Sequence, residues 1–182
     1  MAHAPDPSSR PATNLPLDDL QRQLTVARAN RVDGLPYISL AGDVYTILVT
    51  GDDTAGRYCL IDMLVPPGGG PPPHRHDFEE MFTILQGEVE FTFRGQSSIA
   101  YAGDTLNIPA NAPHFFRNVS QEPAHLLCLC SPAGQEKYFL EVGIVVASRA
   151  LPAPKPSEAE ARVMKERAEA LAAEYRTEFL PA

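Results

Sequence analysis

The sequence predicts an all-β fold, an antiparallel barrel or sandwich, with one α-helix before it and one after it. Between about residues 36 and 131, short apolar runs rich in β-branched residues recur at roughly 8–12-residue spacing, separated by Gly, Pro and Asp turns. The chain also has 18 prolines in 182 residues, which excludes a mainly helical bundle because proline breaks helix interiors. Strands do not alternate with long helical patterns in this region, so a doubly wound parallel sheet is excluded as well.

A helix is predicted over residues 17–29. Leu17, Leu20 and Leu24 recur at helical spacing, and a proline just before them stands in a first-turn position, where its missing N–H costs nothing. We expect the apolar stripe of this helix to pack on the sheet. Residues 1–14 are predicted to form a loose tail because they are rich in Pro and Ser.

The clearest strand signal is a hairpin at Gln86 and Gly87. After it, Val89, Phe91 and Phe93 alternate with polar residues, which is the period-two pattern of a strand with one buried face. The other predicted strands lie at residues 44–49, 58–65, 80–85, 98–101, 104–108, 114–119 and 124–131.

The C-terminal part is predicted to be helical. Ser157 and Glu160 have the spacing of a capping box, in which each side chain satisfies the backbone N–H of the other residue. The helix is predicted to run to about Arg176, after a stiff, proline-rich linker at residues 151–156. Residues 135–142 fit a further short helix.

These patterns divide the chain into three parts. Residues 1–35 are the N-terminal tail and helix, residues 36–150 are the β-domain, and residues 151–182 are the linker and the C-terminal helix. No internal repeat is visible, so we expect a single β-domain. We also expect a homodimer, because open strand edges need covering and the amphipathic terminal helices offer apolar faces.

The charge distribution limits the class of partner. The formal net charge is -8 and no basic cluster is present, which disfavours nucleic acids and anionic membrane surfaces. No apolar run approaches the ~18–20 residues of a membrane span. The first 20 residues also lack the apolar region of a secretory signal. We therefore expect a cytoplasmic protein that acts on a small molecule.

The three cysteines are Cys59, Cys128 and Cys130. Cys128 and Cys130 alternate on one face of a predicted strand, where neighbouring thiols could bind a metal. We favour the alternative, that they are small hydrophobic core residues in a reducing compartment.

The placement of the histidines is the most informative feature of the chain. His74 and His76 are two positions apart, so both imidazoles point to the same face of an extended segment. Glu80 has the same parity, and His114 lies in a second predicted strand. Imidazole nitrogens and a carboxylate oxygen suit a first-row divalent metal, which would also remove the cost of burying unpaired polar groups. The pattern therefore predicts a metal site.

Two stretches around these residues resemble the two sequence motifs of the cupin superfamily. Residues 68–87 match every fixed position of the first motif, G(x)5HxH(x)3–4E(x)6G. Residues 103–118 match the second, G(x)5PxG(x)2H(x)3N, except that Asn111 replaces a glycine. Asn tolerates positive φ better than most other non-glycine residues, so the turn can still form. The resemblance covers about residues 40–131.

The resemblance implies a cupin-type antiparallel β-barrel, or jelly roll, with a metal in its interior. It also implies that Gly87 and Gly103 are turn glycines and that Asn118 is a structural hydrogen-bonding residue. The metal ligands that it implies are His74, His76, Glu80 and His114.

The ligand set suggests a catalytic site. Three histidines and one glutamate would leave one or two positions open on an octahedral metal. Iron, manganese, nickel, cobalt, copper and zinc all fit such ligands. The resemblance is to quercetinase-like cupins, which implies a dioxygenase acting on a small aromatic or enolic substrate. In this interpretation the metal holds the substrate through oxygen donors, and Glu80 is both a ligand and a proton acceptor. Apolar residues are predicted to line the substrate pocket: Phe82, Ile84, Phe116 and Met63.

Two other functions fit the same ligands. One is a non-catalytic protein that binds a metal or a small molecule. The other is a metal-dependent isomerase or lyase, because the same ligands can hold a Lewis acid that polarises a carbonyl. The fold does not decide among them.

Overall fold

A computed structural model of the chain describes residues 15–29, 35–149, 153 and 156–181. The described residues form two antiparallel sheets with an apolar core between them. The strands are β1 (Tyr37–Leu40), β2 (Asp43–Val49), β3 (Cys59–Val65), β4 (His74–His76), β5 (Glu79–Gln86), β6 (Glu88–Phe93), β7 (Gln96–Tyr101), β8 (Thr105–Ile108), β9 (His114–Arg117), β10 (Ala124–Ser131), β11 (Ile144–Val146) and β12 (Thr177–Phe179). The helices are α1 (Gly51–Thr54), α2 (Gln135–Val142) and α3 (Glu158–Ala172).

The larger sheet has seven strands in the order β11-β1-β2-β3-β10-β5-β8, and the smaller has five in the order β12-β4-β9-β6-β7. Within the described ranges, no ladder of hydrogen bonds joins an edge of one sheet to an edge of the other. The predicted closed barrel is therefore corrected to an open pair of sheets. The physical reason is that the edge strands β8, β11 and β12 have only three or four residues, which leaves few backbone groups for closing a barrel.

The core lies between the two sheets. β10 alternates buried and half-buried residues along its whole length, so that Ala124, Leu126, Cys128 and Cys130 all face inward. Apolar residues of β3, β5, β6 and β9 complete the same cluster.

The predicted hairpin at Gln86 and Gly87 is wrong, because β5 and β6 do not pair with each other. β5 pairs with β10 and β8 in the larger sheet, and β6 pairs with β7 and β9 in the smaller sheet. The chain turns from one sheet to the other at Gly87, whose φ of 77° lies in the left-handed region that favours glycine. Val89 and Phe91 are buried between half-buried glutamates, as the period-two pattern predicts, but the pattern ends at Thr92, which is buried, and Phe93 is only half-buried.

The predicted N-terminal helix is wrong. Residues 15–29 contain no helix, and Leu17 and Leu24 are 97% and 88% exposed instead of packing on the sheet. Two side-chain hydrogen bonds join the segment to Asp53. Arg22 donates to the Asp53 carbonyl oxygen and Thr25 donates to the Asp53 carboxylate, both at 2.8 Å. A short amphipathic helix is marginal without a packing partner, so the helical spacing alone did not determine the structure. The predicted tail over residues 1–14 lies outside the described residues.

The C-terminal helix α3 begins at the predicted capping box, in which the Ser157 side chain accepts from the Glu160 backbone. It ends at Ala172, earlier than predicted, and the chain then forms the short strand β12, which the sequence did not predict. α3 packs on α2 through a 2.9 Å hydrogen bond from the Tyr138 hydroxyl to the Ala168 carbonyl. Most of the predicted linker lies outside the described residues. None of the helices in the described ranges has the length and apolar character to cross a membrane.

Candidate metal centre

The four side chains that the sequence singled out converge in one buried cluster. His74 and His76 lie on β4, Glu80 on β5 and His114 on β9, and none is more than 8% exposed. One potential ligand atom from each side chain lies within 4.8 Å of those of the other three. The cluster is therefore compatible with a metal site.

The cluster draws its donors from both sheets. The sequence predicts a single extended segment from His74 to Glu80. The chain instead leaves the smaller sheet after β4 and enters the larger sheet at β5. Phe78, in the crossover, is buried and stacks on the His76 ring with centroids 3.8 Å apart. Glu80 therefore faces the three histidines across the space between the sheets.

Backbone carbonyl groups orient each histidine ring. A carbonyl oxygen can only accept, so each contacted Nδ1 carries a proton and Nε2 is the nitrogen directed into the cluster. A metal would bind Nε2 in its deprotonated form. The Nδ1–carbonyl distances are 2.9 Å for His74 to Pro72, 2.9 Å for His76 to Phe78 and 2.8 Å for His114 to Ala112.

The Glu80 carboxylate binds two of these histidines through one oxygen. Its Oε2 lies 3.1 Å from His76 Nε2 and 3.0 Å from His114 Nε2. Burial by itself would raise the pKa of Glu80, but the hydrogen bonds with His114 and His76 hold it well below its usual range. Glu80 is therefore an anion within the apolar core.

The pKa values of His74 and His114 are shifted in opposite directions by their surroundings. Burial and the neighbouring His114 lower the pKa of His74 to about 4, so His74 is a neutral imidazole at neutral pH. Burial works against protonation of His114 as well, yet the Glu80 carboxylate raises the pKa of His114 above its usual value. The cluster thus combines a carboxylate and imidazole nitrogens, the donor chemistry that fits a first-row divalent cation.

The residues predicted to line a substrate pocket all belong to the buried core. None of the four is more than 3% exposed, and Phe82 and Phe116 meet edge-to-face with centroids 5.3 Å apart. Phe82 follows Glu80 by two residues on β5, and Phe116 follows His114 by two residues on β9, so these two rings share the inward strand faces that carry the donors. The residues concerned are Phe82, Ile84, Phe116 and Met63.

The two asparagines of the second motif have structural roles. Asn111 has a φ of 68°, which confirms that it can occupy the glycine position, and its N–H donates to the His76 carbonyl at 2.6 Å. Asn118 is fully buried and donates to the carbonyl oxygens of Val65 at 3.0 Å and Glu122 at 2.8 Å. Its own backbone exchanges hydrogen bonds with the glycine run before β4, through Gly68 and Gly69.

Two features near the cluster were not predicted from the sequence: the strand β12 and the contact of Cys128 with Glu80. β12 pairs along β4, with Thr177 opposite His76 and Phe179 opposite His74, so it covers the outer edge of the ligand-bearing strand. A three-residue strand has too little periodicity to be recognised. Cys128 is buried, as expected of a small core residue, but its sulfur also lies 3.3 Å from Glu80 Oε1.

Comparisons with known proteins agree with this fold. Residues 61–130 match the family described as the cupin domain. An uncharacterised protein of Methanocaldococcus jannaschii is 30% identical over 99 residues, which are 53% of this chain and 79% of that protein. The quercetin 2,3-dioxygenase of Bacillus subtilis is 29% identical over 93 residues, which are 46% of this chain but 28% of that enzyme.

A solved structure supports the architecture. The crystal structure of a predicted oxalate decarboxylase from Thermotoga maritima aligns with a TM-score of 0.54 and 19% identity, over 59% of this chain and 98% of that one. At this identity the likeness concerns the fold alone. The sequence match includes both motifs, and the structural match agrees with it, so the chain belongs to the cupin superfamily.

Proposed function

We propose that the protein is a metal-dependent dioxygenase for a small aromatic or enolic substrate, in which the metal is held by His74, His76, Glu80 and His114. The observation that carries the proposal is the convergence of three imidazoles and one carboxylate in a buried apolar space. Neutral imidazoles and an ionised carboxylate are the forms that bind divalent cations. A cation of charge +2 would also balance the buried charge of Glu80, which His76 and His114 now stabilise through hydrogen bonds.

A redox-active divalent metal bound here would supply Lewis acidity toward a substrate oxygen and electrons for the reaction with dioxygen. The protein's own residues would orient the substrate and move its proton. Metal binding would remove the Nε2 protons through which His76 and His114 donate to Glu80 Oε2, so this oxygen could then accept the proton of a substrate hydroxyl. Phe82 and Phe116 would exclude water beside it, which strengthens the electrostatic interactions of the site.

The relatives support the reaction class. The similarity to a quercetin 2,3-dioxygenase extends over 46% of this chain, although it spans 28% of that enzyme. The match to the cupin domain, residues 61–130, includes all four donors. The substrate is therefore proposed from the apolar surroundings of Glu80.

A second candidate is a non-catalytic metal-binding protein. It is favoured by the burial of all four donors, of which His74 is the most exposed at 8%. An organic substrate could reach the donors only if the residues around them moved apart, whereas a metal ion needs no such opening.

The first experiment is metal analysis of the protein purified without a histidine tag, before and after reloading. We expect stoichiometric binding of a first-row metal to the wild type and loss of binding in His74→Ala. His125→Ala is the matched control, because His125 lies outside the cluster and pairs with Asp62 at 2.7 Å. Occupancy below roughly one-third after reloading would refute every metal-dependent function proposed here.

The second experiment measures oxygen uptake with flavonols, catechols and diketones. We expect uptake by the loaded wild type and by Glu79→Gln, and no uptake by Glu80→Gln. Glu79 is the matched control because it precedes Glu80 on β5 but is exposed. Metal binding without turnover would favour the binding protein, and turnover without oxygen uptake would indicate an isomerase or lyase.

A further inference from the structure

All three cysteines of the chain lie in the core on the side of Glu80 away from the histidines. Cys130 is the partner of Cys59 on one neighbouring strand and of Glu80 on the other, so the three form a row across the larger sheet. Cys128 lies two residues before Cys130 on the same inward face, and all three cysteines are 0% exposed. This row places thiols against the carboxylate of a candidate metal ligand.

The two oxygens of Glu80 have separate neighbours. Oε2 faces the imidazoles of His76 and His114 at 3.1 and 3.0 Å. Oε1 faces the sulfur atoms of Cys128 at 3.3 Å and Cys130 at 3.8 Å. An ionised carboxylate can only accept hydrogen bonds, so the thiols are the donors, and Cys128 makes the shorter contact.

We propose that Cys128 is a positioning residue for the metal centre, whose thiol donates to Glu80 Oε1 and thereby directs Oε2 toward the three histidines. The inference rests on the metal-binding function proposed above. The terminal torsion of a glutamate side chain has a broad, roughly two-fold preference, so it does not fix the plane of the carboxylate by itself. A donor on Oε1 limits that rotation and satisfies the oxygen that faces the apolar core.

The size of the effect follows from the position of Cys128 outside the ligand set. Partners that orient a metal ligand typically change metal affinity by ~10–100-fold when they are removed. Cys59 offers a matched comparison. It is equally buried and belongs to the same row, but it is separated from Glu80 by the strand that carries Cys130.

The test compares Cys128→Ala, Cys128→Ser and Cys59→Ala with the wild type. Each protein is titrated with Co2+ against a competing chelator, and the visible absorption spectrum of the Co2+-loaded protein is recorded. We expect Cys128→Ala to weaken Co2+ binding by ~10–100-fold and to shift the spectrum. Cys128→Ser should restore both because its hydroxyl can donate to Oε1, and Cys59→Ala should leave both unchanged. Thermal unfolding of each metal-free protein is recorded as the control that the variant is folded.

Three results would overturn the inference. Equal losses in Cys128→Ala and Cys59→Ala would indicate a general effect of core packing, and so would failure of serine to restore binding. Unchanged Co2+ affinity in Cys128→Ala would show that Glu80 needs no such donor. These outcomes leave the proposed metal site intact, whereas absence of Co2+ binding in the wild type would overturn the site and this inference together.

Discussion

His74 and His114 lie directly opposite each other in the antiparallel pair of β4 and β9, with ring centroids 4.4 Å apart. This register joins the first cupin motif to the second. It also means that the candidate metal centre depends on a strand, β4, that is only three residues long and is held between β9 and β12. Changes to the ligands, to the neighbours of β4 and to the glycine run before it should therefore affect metal binding or stability in distinguishable ways.

Replacement of His114 by alanine should remove a ligand and weaken metal binding more than ~100-fold, beyond the range typical of residues outside the ligand set. Thermal unfolding of the metal-free variant should also show a lower stability, because the buried Glu80 carboxylate loses one of its two imidazole partners. Equilibrium dialysis with Zn2+ measures the affinity. Full metal content in His114→Ala would contradict the assigned ligand set, and so would an equal loss of affinity in the control His125→Ala.

Replacement of Leu180 by proline should release the end of β12 from the segment before His74. The Leu180 N–H donates to the Pro73 carbonyl at 2.9 Å, and proline has no N–H to replace it. We expect a loss of about 1 kcal/mol of unfolding free energy and weaker metal binding, since β12 pairs along the ligand strand. Leu180→Ala keeps the N–H and serves as the control in urea unfolding. If the two variants behave alike, the backbone pairing of β12 does not support the site.

Replacement of Gly70 by alanine should be more damaging than the same change at Gly95. Both glycines have positive φ, at 125° and 79°, so each alanine carries backbone strain of about 1–2 kcal/mol. A Cβ at Gly70 would also overlap the Phe116 carbonyl oxygen, whereas a Cβ at Gly95 meets nothing within 4 Å. We expect Gly70→Ala to lose a further ~1–3 kcal/mol in urea unfolding, because the backbone of β9 must shift. Equal losses at both positions would show that the close approach to β9 is unimportant.

Asp43 should make stability depend on pH. Burial raises the pKa of its carboxyl to about 7, although the Tyr45 hydroxyl and the Gly70 backbone lower it. An unfolded Asp titrates near 3.9, so the folded chain binds this proton more tightly than the unfolded chain does. The contribution to stability is therefore complete below about pH 4 and is lost as the pH rises through about 7.

Asp43→Asn stays neutral and should remove this dependence. We expect the unfolding free energy of the variant to increase relative to that of the wild type between pH 4 and pH 8, as measured in urea. Asp52→Asn is the control, because the Asp52 side chain is 90% exposed. A difference between the wild type and Asp43→Asn that is constant over this range would contradict the assignment.

Local signals in the sequence were sufficient for several elements. The alternation of Val89, Phe91 and Phe93 predicted a strand with one buried face, and Ser157 and Glu160 predicted the start of α3. Both signals depend on neighbours close in sequence, so the fold cannot easily override them. The helical spacing of Leu17 and Leu24 was misleading because an amphipathic helix depends on a partner surface, and the described segment has none.

The sequence by itself determined the types of donor in the candidate centre and the family motifs that carry them, because the spacing of His74, His76 and Glu80 is a local property. Only the tertiary structure decided that Glu80 faces the histidines from the opposite sheet, that Cys128 contacts its second oxygen, and that β12 covers β4. Each of these relationships joins segments distant along the chain. Their geometry depends on sheet order and register, which are set by the packing of the whole core.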